Sequence, residues 1–202
     1  KNRAGALSCG SLGAGRGTRC AANILRRSGA CTFDGMEADR YSADVAIAGA
    51  GIAGVAAAIE ALARGRRVLL LDRDEPDGLG GLARESMGGL WFAGSPLQAR
   101  YRVRDSAELG FADWLAFGEL GPDDRWPRAW ARSYVERCIP EVFEWLRGLG
   151  VEFLPMPMWV ERGLYGRGNS VPRFHVVWGT GRALADALIA CLKNHPHRDR
   201  LE

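Results

Sequence analysis

Hydrophobic residues along this chain fall into runs of two periods, separated by polar and glycine-rich breaks. Val45 to Ala48 is a short apolar run without alternation, and Arg66 to Leu71 is another. Runs of this kind suit buried parallel strands. Between them, small and aliphatic residues from Ile52 onward predict a helix that stops at Gly65, a left-handed helix end. A helical period returns after Asp105-Ser106-Ala107-Glu108, which reads as a capping box with Asp105 as the cap. Phe111, Trp114 and Leu115 then mark a core-facing stripe. Gly121 to Asp124 is a turn signal, and Pro127 suits the first position of a helix over Arg128–Cys138. Pro140 forces a kink or restart, and the second half, Glu141 to Arg147, stops at Gly148. Val151–Leu154, Trp159–Val160 and the segment around His175 read as strands, and Thr180 as the cap of a last helix, Arg182–Lys193. Strand, helix and strand within about 30 residues predict a right-handed βαβ unit over Asp44–Asp72.

Residues 1–35 show neither period. Rich in Gly, Ser, Arg and Ala, they predict a disordered extension, reaching to about residue 40 and dispensable for folding. They read as an organelle transit peptide or as lying ahead of a natural start at Met36, the first methionine, and the second reading is preferred. Residues 1–35 carry 6 of the 27 basic and 1 of the 24 acidic residues. The body is therefore close to neutral, which argues against a nucleic-acid surface. No apolar run approaches the roughly 18 residues of a membrane span. Five cysteines make no even framework, and Cys9, Cys20 and Cys31 lack the C-x-x-C pairing or neighbouring histidines of a metal site. Free thiols point to a reducing, cytoplasmic location. His195 and His197 are too isolated to suggest a metal.

Candidate chemistry centres on Gly49, Gly51 and Gly54, spaced G-x-G-x-x-G directly after the first strand. The spacing alone is weak evidence in a chain with 27 glycines, so context decides. Gly49 allows the sharp turn, Gly51 lets backbone approach a pyrophosphate, and Gly54 lets helix and sheet pack closely. Asp72 ends the second strand, 23 residues after Gly49, where a carboxylate meets an adenosine ribose. A second glycine-rich stretch follows, with the pairs Gly80-Gly81 and Gly88-Gly89. A nicotinamide dehydrogenase gives no reason for it, whereas a loop wrapped around a more extended cofactor does. Two other readings stay open: an NAD(P)-dependent Rossmann dehydrogenase and a non-catalytic nucleotide-binding fragment.

These features, with SMGGLW at 86–91, SPLQ at 95–98, RDSAEL at 104–109, DRWPRAWA at 124–131, WLRGLG at 145–150 and GNSVPRFHVVWGTG at 168–181, resemble the FAD-dependent oxidoreductase 2 family. That family contains fumarate reductase flavoproteins and 3-ketosteroid dehydrogenases. The similarity runs from Ser42 to about Leu192. It implies an α/β fold: a Rossmann-like FAD-binding domain with a parallel sheet, incomplete here, and the start of a mainly helical insertion. On this reading 41–90 is the nucleotide-binding core, 91–170 the insertion and 171–202 the return to the FAD domain, all the N-terminal part of a longer enzyme. Gly49, Gly51, Ala53 and Gly54 would hold the FAD pyrophosphate, Asp72 and Arg73 the adenosine, and Gly80, Gly81, Ser86, Gly88 and Gly89 the flavin side. A side chain at Gly89 would then block the loop's approach to the flavin. Leu82 stands where covalent-flavin members carry histidine, which implies a non-covalent cofactor, and Asp72 stands where many members have the longer Glu. The implied substrate is a small apolar carbonyl compound, steroid-like in kind, with the electron acceptor unspecified. Tyr165 and His175 are the candidate catalytic residues. The seven tryptophans are expected mostly in the core.

Overall fold

The computed structural model describes residues 41–202 except 76, 77, 161, 164 and 165. The expectations for 1–40, including the disordered extension and the start at Met36, lie outside the described residues, as does Tyr165.

Strand β1 (Val45–Ala48) leads through the glycine turn into helix α1 (Ile52–Ala63), which returns to strand β2 (Val68–Leu71). The two strands are parallel, with Val45 opposite Val68 and Ala48 opposite Leu71. This is the βαβ unit read from the sequence. Gly65 has φ +71°, the left-handed conformation expected of a helix stop. At the other end of the chain Leu201 pairs parallel with Val68, and Leu70 N–H donates to the Glu202 carbonyl at 2.8 Å. Parallel pairing thus continues past β2.

Helix α1 buries Val55, Ala58, Ile59 and Leu62, and packs against helix α6 (Thr180–Lys193), which buries Leu184, Ala185, Leu188, Ile189 and Leu192. Of these, Val55, Ala58, Ile59, Leu62, Leu184, Leu188 and Leu192 join Val68 in one half of the core. The opposite face of the sheet is open, with Ala46 and Ala48 exposed and Leu71 51% exposed. The apolar run of β2 predicted cover on both faces; here only one is covered.

The second half of the core is aromatic. Strand β3 (Gly89–Trp91) pairs antiparallel with β4 (Phe174–Val176). Phe92, just after β3, sets its ring 5.4 Å from Phe143 and 5.8 Å from Phe153, both near-perpendicular, and Phe143 and Phe153 stack at 5.2 Å. Helices α2 (Pro96–Arg100), α3 (Ala107–Phe117), α4 (Arg125–Arg137) and α5 (Glu144–Gly148) follow β3, with α3 packed on α4. Between α4 and α5, Cys138–Phe143 forms a π-helical turn. Pro140, which has no N–H to donate, supplies the predicted interruption at that point.

Several local expectations need correction. The α3 cap is Ser106, whose Oγ accepts from Leu109 N–H at 3.2 Å; Asp105 is occupied elsewhere. Helix α4 begins at Arg125, so Pro127 sits third, still within the first turn where its missing N–H costs nothing. Val151–Leu154 and Trp159–Val160 are not strands. Only single bridges form there, Phe153 to Val177 and Met158 to Phe174, because Pro155 and Pro157 break the run of donors. Thr180 does not cap α6. The helix starts at that residue after Gly179, and the backbone is left-handed at both. The tryptophans are mostly outside the core: Trp126, Trp130, Trp159 and Trp178 are exposed.

Candidate functional site

The three glycines of the first turn have distinct surroundings. Gly49 has φ +100°, and its N–H donates to the Leu71 carbonyl at 2.7 Å. A Cβ on Gly51 would meet nothing within 4 Å, whereas one on Gly54 would collide with the Gly49 carbonyl oxygen. One glycine turns the chain, one leaves space and one permits contact, which is the division of labour the spacing predicts. Gly51 is the N-cap of α1. No side chain caps that end, and its first turn, where Ala53 lies, holds no acidic residue. The helix thus offers backbone N–H groups and its positive dipole end to an anion.

Asp72 turns inward to this loop. Its carboxylate accepts from Ala50 N–H, and from Asp74 N–H at 2.9 Å. The Ala50 hydrogen bond, followed by that from Asp74, holds the carboxyl below its ordinary range. Asp72 therefore braces the end of β2 against the turn, and carboxylate lone pairs remain beside a cavity of about 340 Å³. Ala50, Asp72, Lys193, Arg198 and Glu202 are among its walls. Arg73 is nearly fully exposed, 3.8 Å from Asp74.

The second glycine loop is docked on the first. Gly80 N–H donates to the Ala50 carbonyl at 2.8 Å, Gly80 bridges to Gly51, and a Cβ on Gly81 would lie 3.4 Å from Gly51 Cα. A 3₁₀ turn, Gly81–Glu85, then carries the chain to Ser86, whose carbonyl accepts from Gly181 N–H at 3.0 Å. Gly88 (φ +71°) faces the Thr180–Gly181 backbone. Gly89 has an internal reason for lacking a side chain: a Cβ there would enter the Phe174 ring. A substitution at Gly89 therefore tests packing of β3 on β4 and does not isolate cofactor approach.

His175 is fully buried against Phe92, Phe143 and Phe153. Its Nδ1–H donates to the Arg173 carbonyl at 2.7 Å, so Nε2 accepts from the Ser95 hydroxyl, also at 2.7 Å. Both nitrogens are used inside the protein, which makes His175 a bracing residue in this arrangement. Its neighbour Arg173 is likewise engaged inside the protein. Arg173 is buried, with a two-point ion pair to Asp105 (2.8 and 2.7 Å) and a third bond to Asp113 at 2.5 Å. Burial alone would lower the Arg173 pKa, but bonding to the two carboxylates outweighs it and raises the value. Sequence reading missed this cluster and the part played by Ala50. The RDSAEL and GNSVPRF segments were the available signal.

Burial pushes the His175 pKa down, partly opposed by its bond to the Arg173 carbonyl and by Asp105. For Asp113, burial acts upward, yet bonds from Ser170 and Arg173 leave the carboxyl below its ordinary value. Both shifts give stability that is lost on acidification: for His175 as pH falls from about 6.5 toward its folded value, for Asp113 below about 3.9. The melting temperature should thus fall between pH 7 and pH 5, with the slope flattened in His175→Gln. An unchanged slope would assign the loss to other groups.

A βαβ turn with an uncapped helix end, an inward carboxylate and a second glycine loop defines a dinucleotide-binding α/β protein of the flavin type. The chain belongs to the FAD binding domain family, whose pattern it matches over residues 44–202. It is 45% identical over 166 residues to a KsdD-like steroid dehydrogenase of Mycobacterium tuberculosis, covering 80% of this chain and 29% of that protein. A vinyl phenol reductase of Lactiplantibacillus plantarum is 31% identical, over 73% of this chain and 27% of that protein. The chain therefore spans less than a third of these relatives. Among solved structures, 3-ketosteroid-Δ4-(5α)-dehydrogenase from Rhodococcus jostii superposes with a TM-score of 0.60 at 27% identity, covering 80% of this chain and 38% of that one. A flavocytochrome c3 fumarate reductase shares the fold at 0.63 and 24% identity, covering 76% and 25%. Among the described residues no helix is long and apolar enough to cross a membrane, and no three metal-ligating side chains come together.

Proposed function

We propose that this chain is the N-terminal part of a flavin-dependent oxidoreductase that binds FAD non-covalently and acts on an apolar carbonyl compound, steroid-like in size. The observation that carries the proposal is the docking of Gly80 on Ala50 and Gly51. It extends the phosphate-binding turn into one continuous backbone surface leading to Ser86 and Gly88, longer than a nicotinamide site requires. The open space at Gly51 and the uncapped α1 end fit a pyrophosphate, and the cavity beside Asp72 fits the adenosine. When bound, FAD supplies two-electron chemistry, exchanging a hydride with a C–H bond activated by a neighbouring carbonyl. The chain's own residues bind and orient. Asp72 holds the turn in place, α1 presents donors, and the Gly80–Gly89 segment offers a side-chain-poor surface. Leu82 is 83% exposed at the position where covalent members carry histidine, consistent with reversible binding. Cys138 and Cys191 carry free thiols, which fits the cytoplasm.

The natural-length protein should purify with a flavin absorbance spectrum, release FAD intact on acid precipitation, and rebind it in a fluorescence titration. Uptake of NAD(H) without FAD would sink the proposal, and flavin retained covalently after precipitation would overturn the non-covalent part. Asp72→Asn, which keeps the size but weakens the bond from Ala50 N–H, should loosen FAD with little change in melting temperature. Equal FAD affinity in that variant would show that the brace is dispensable.

A further inference from the structure

A cavity of about 270 Å³ lies beside the end of β3, walled by Trp91, Trp114, Phe117, Asp113 and Asn169. Its walls are mostly rings. Trp91 and Trp114 meet edge to face at 5.2 Å, and Trp114 and Phe117 are 37% and 51% exposed. The polar walls are Asn169, whose Oδ1 accepts from Trp91 Nε1 at 3.0 Å and Arg173 Nη1 at 2.9 Å and whose Nδ2 donates to the Val160 carbonyl at 3.1 Å, and Asp113. Its hydrogen bonds all end on Oδ2, from Ser170 N–H and Oγ–H at 2.7 Å each and Arg173 Nη1 at 2.5 Å. Oδ1 has no partner among the described residues. Asp113, Arg173 and Asp105 together carry two negative charges and one positive, and Asp113 is the member of the three that lines the cavity. Ring faces attract cations; Arg173 already lies over the Trp91 ring, 5.2 Å from its centroid, which leaves Trp114 and Phe117 for a ligand, and a cluster left with net negative charge draws a cation as well.

We infer that this cavity binds an organic cation: an ammonium group on a single-ring apolar body, donating to Asp113 Oδ1 and lying against the faces of Trp114 and Phe117. About 270 Å³ accommodates one ring with a short arm.

Phenethylammonium and the isosteric neutral alcohol 2-phenylethanol form the probe pair, titrated against the natural-length, FAD-loaded protein by calorimetry with tryptophan fluorescence in parallel. The cation should bind saturably, at least about tenfold more tightly than the alcohol, and weaken as salt is raised. Phe117→Ala removes an exposed wall without touching the ion cluster. It should reduce cation affinity several-fold while the FAD spectrum and melting temperature stay unchanged. Asp113→Asn should abolish the preference for cation over alcohol. Equal affinity for the two probes, no binding of either, or full affinity in Phe117→Ala would each overturn the inference.

Discussion

Arg173→Met should be among the most destabilising single substitutions in the described region, costing about 3–5 kcal/mol. The guanidinium has no exposed surface and its partners Asp105 and Asp113 are 0% and 13% exposed, so removing it leaves two carboxylates buried beside each other. Asp105 also accepts from Gln98 Nε2 at 2.8 Å and Gly94 N–H at 3.2 Å. The loss would therefore spread to the cap of α2 and the turn after β3. Urea unfolding of the natural-length protein measures the effect. The triple variant Arg173→Met, Asp105→Asn, Asp113→Asn supplies the control, because it removes the stranded charges with the cation. It should recover a large part of the loss, since buried ion clusters are costly to break singly and much less costly to replace whole. If Arg173→Met alone lies within about 1 kcal/mol of the parent, the cluster is not what ties α3 to β4.

This cluster also shows where sequence reading ends. Gly49, Gly51 and Gly54 are legible because their work is done within six residues on one turn, where spacing alone states the geometry. The parallel pairing of β1 and β2 follows from the same locality. Asp105 was open to misreading, because one step from a helix start it carries a local signal of capping, while its true partner lies 68 residues on. Ser106 takes over the cap with its own hydroxyl. Thr180 is the reverse case. The α6 end is held from outside, by Ser86 accepting from Gly181 N–H, so the threonine's own hydroxyl is not the cap. Nor could periodicity decide between a strand and two isolated bridges over 151–160. There the donors missing at Pro155 and Pro157 outweigh the apolar pattern. His175 was visible as a histidine in an apolar strand, but the three phenylalanines that enclose it come from segments whose meeting no local pattern states.

The other large effect separates two glycines three residues apart. Gly51→Val should leave the protein folded and lower FAD affinity on the order of a hundredfold, about 2.8 kcal/mol. A Cβ at Gly51 meets nothing within 4 Å, and the backbone there, at φ −66° and ψ 177°, is one any residue adopts. The branched side chain is therefore accommodated by the fold, yet it fills the space in which backbone would approach the pyrophosphate. Gly54→Ala should do the opposite. Its Cβ would collide with the Gly49 carbonyl and crowd the Ile47 side chain at 3.3 Å, so α1 must move away from β1 at a cost of about 1–3 kcal/mol or more. Weaker FAD binding would then follow from damage to the fold. Paired measurements distinguish the two cases: flavin fluorescence titration for affinity, and thermal unfolding of the FAD-free protein for stability. Gly51→Val should change the first and hardly the second, and Gly54→Ala should change both. Should Gly51→Val bind FAD as tightly as the parent, the pyrophosphate does not lie at the α1 end, and the placement of the cofactor along both glycine loops is wrong.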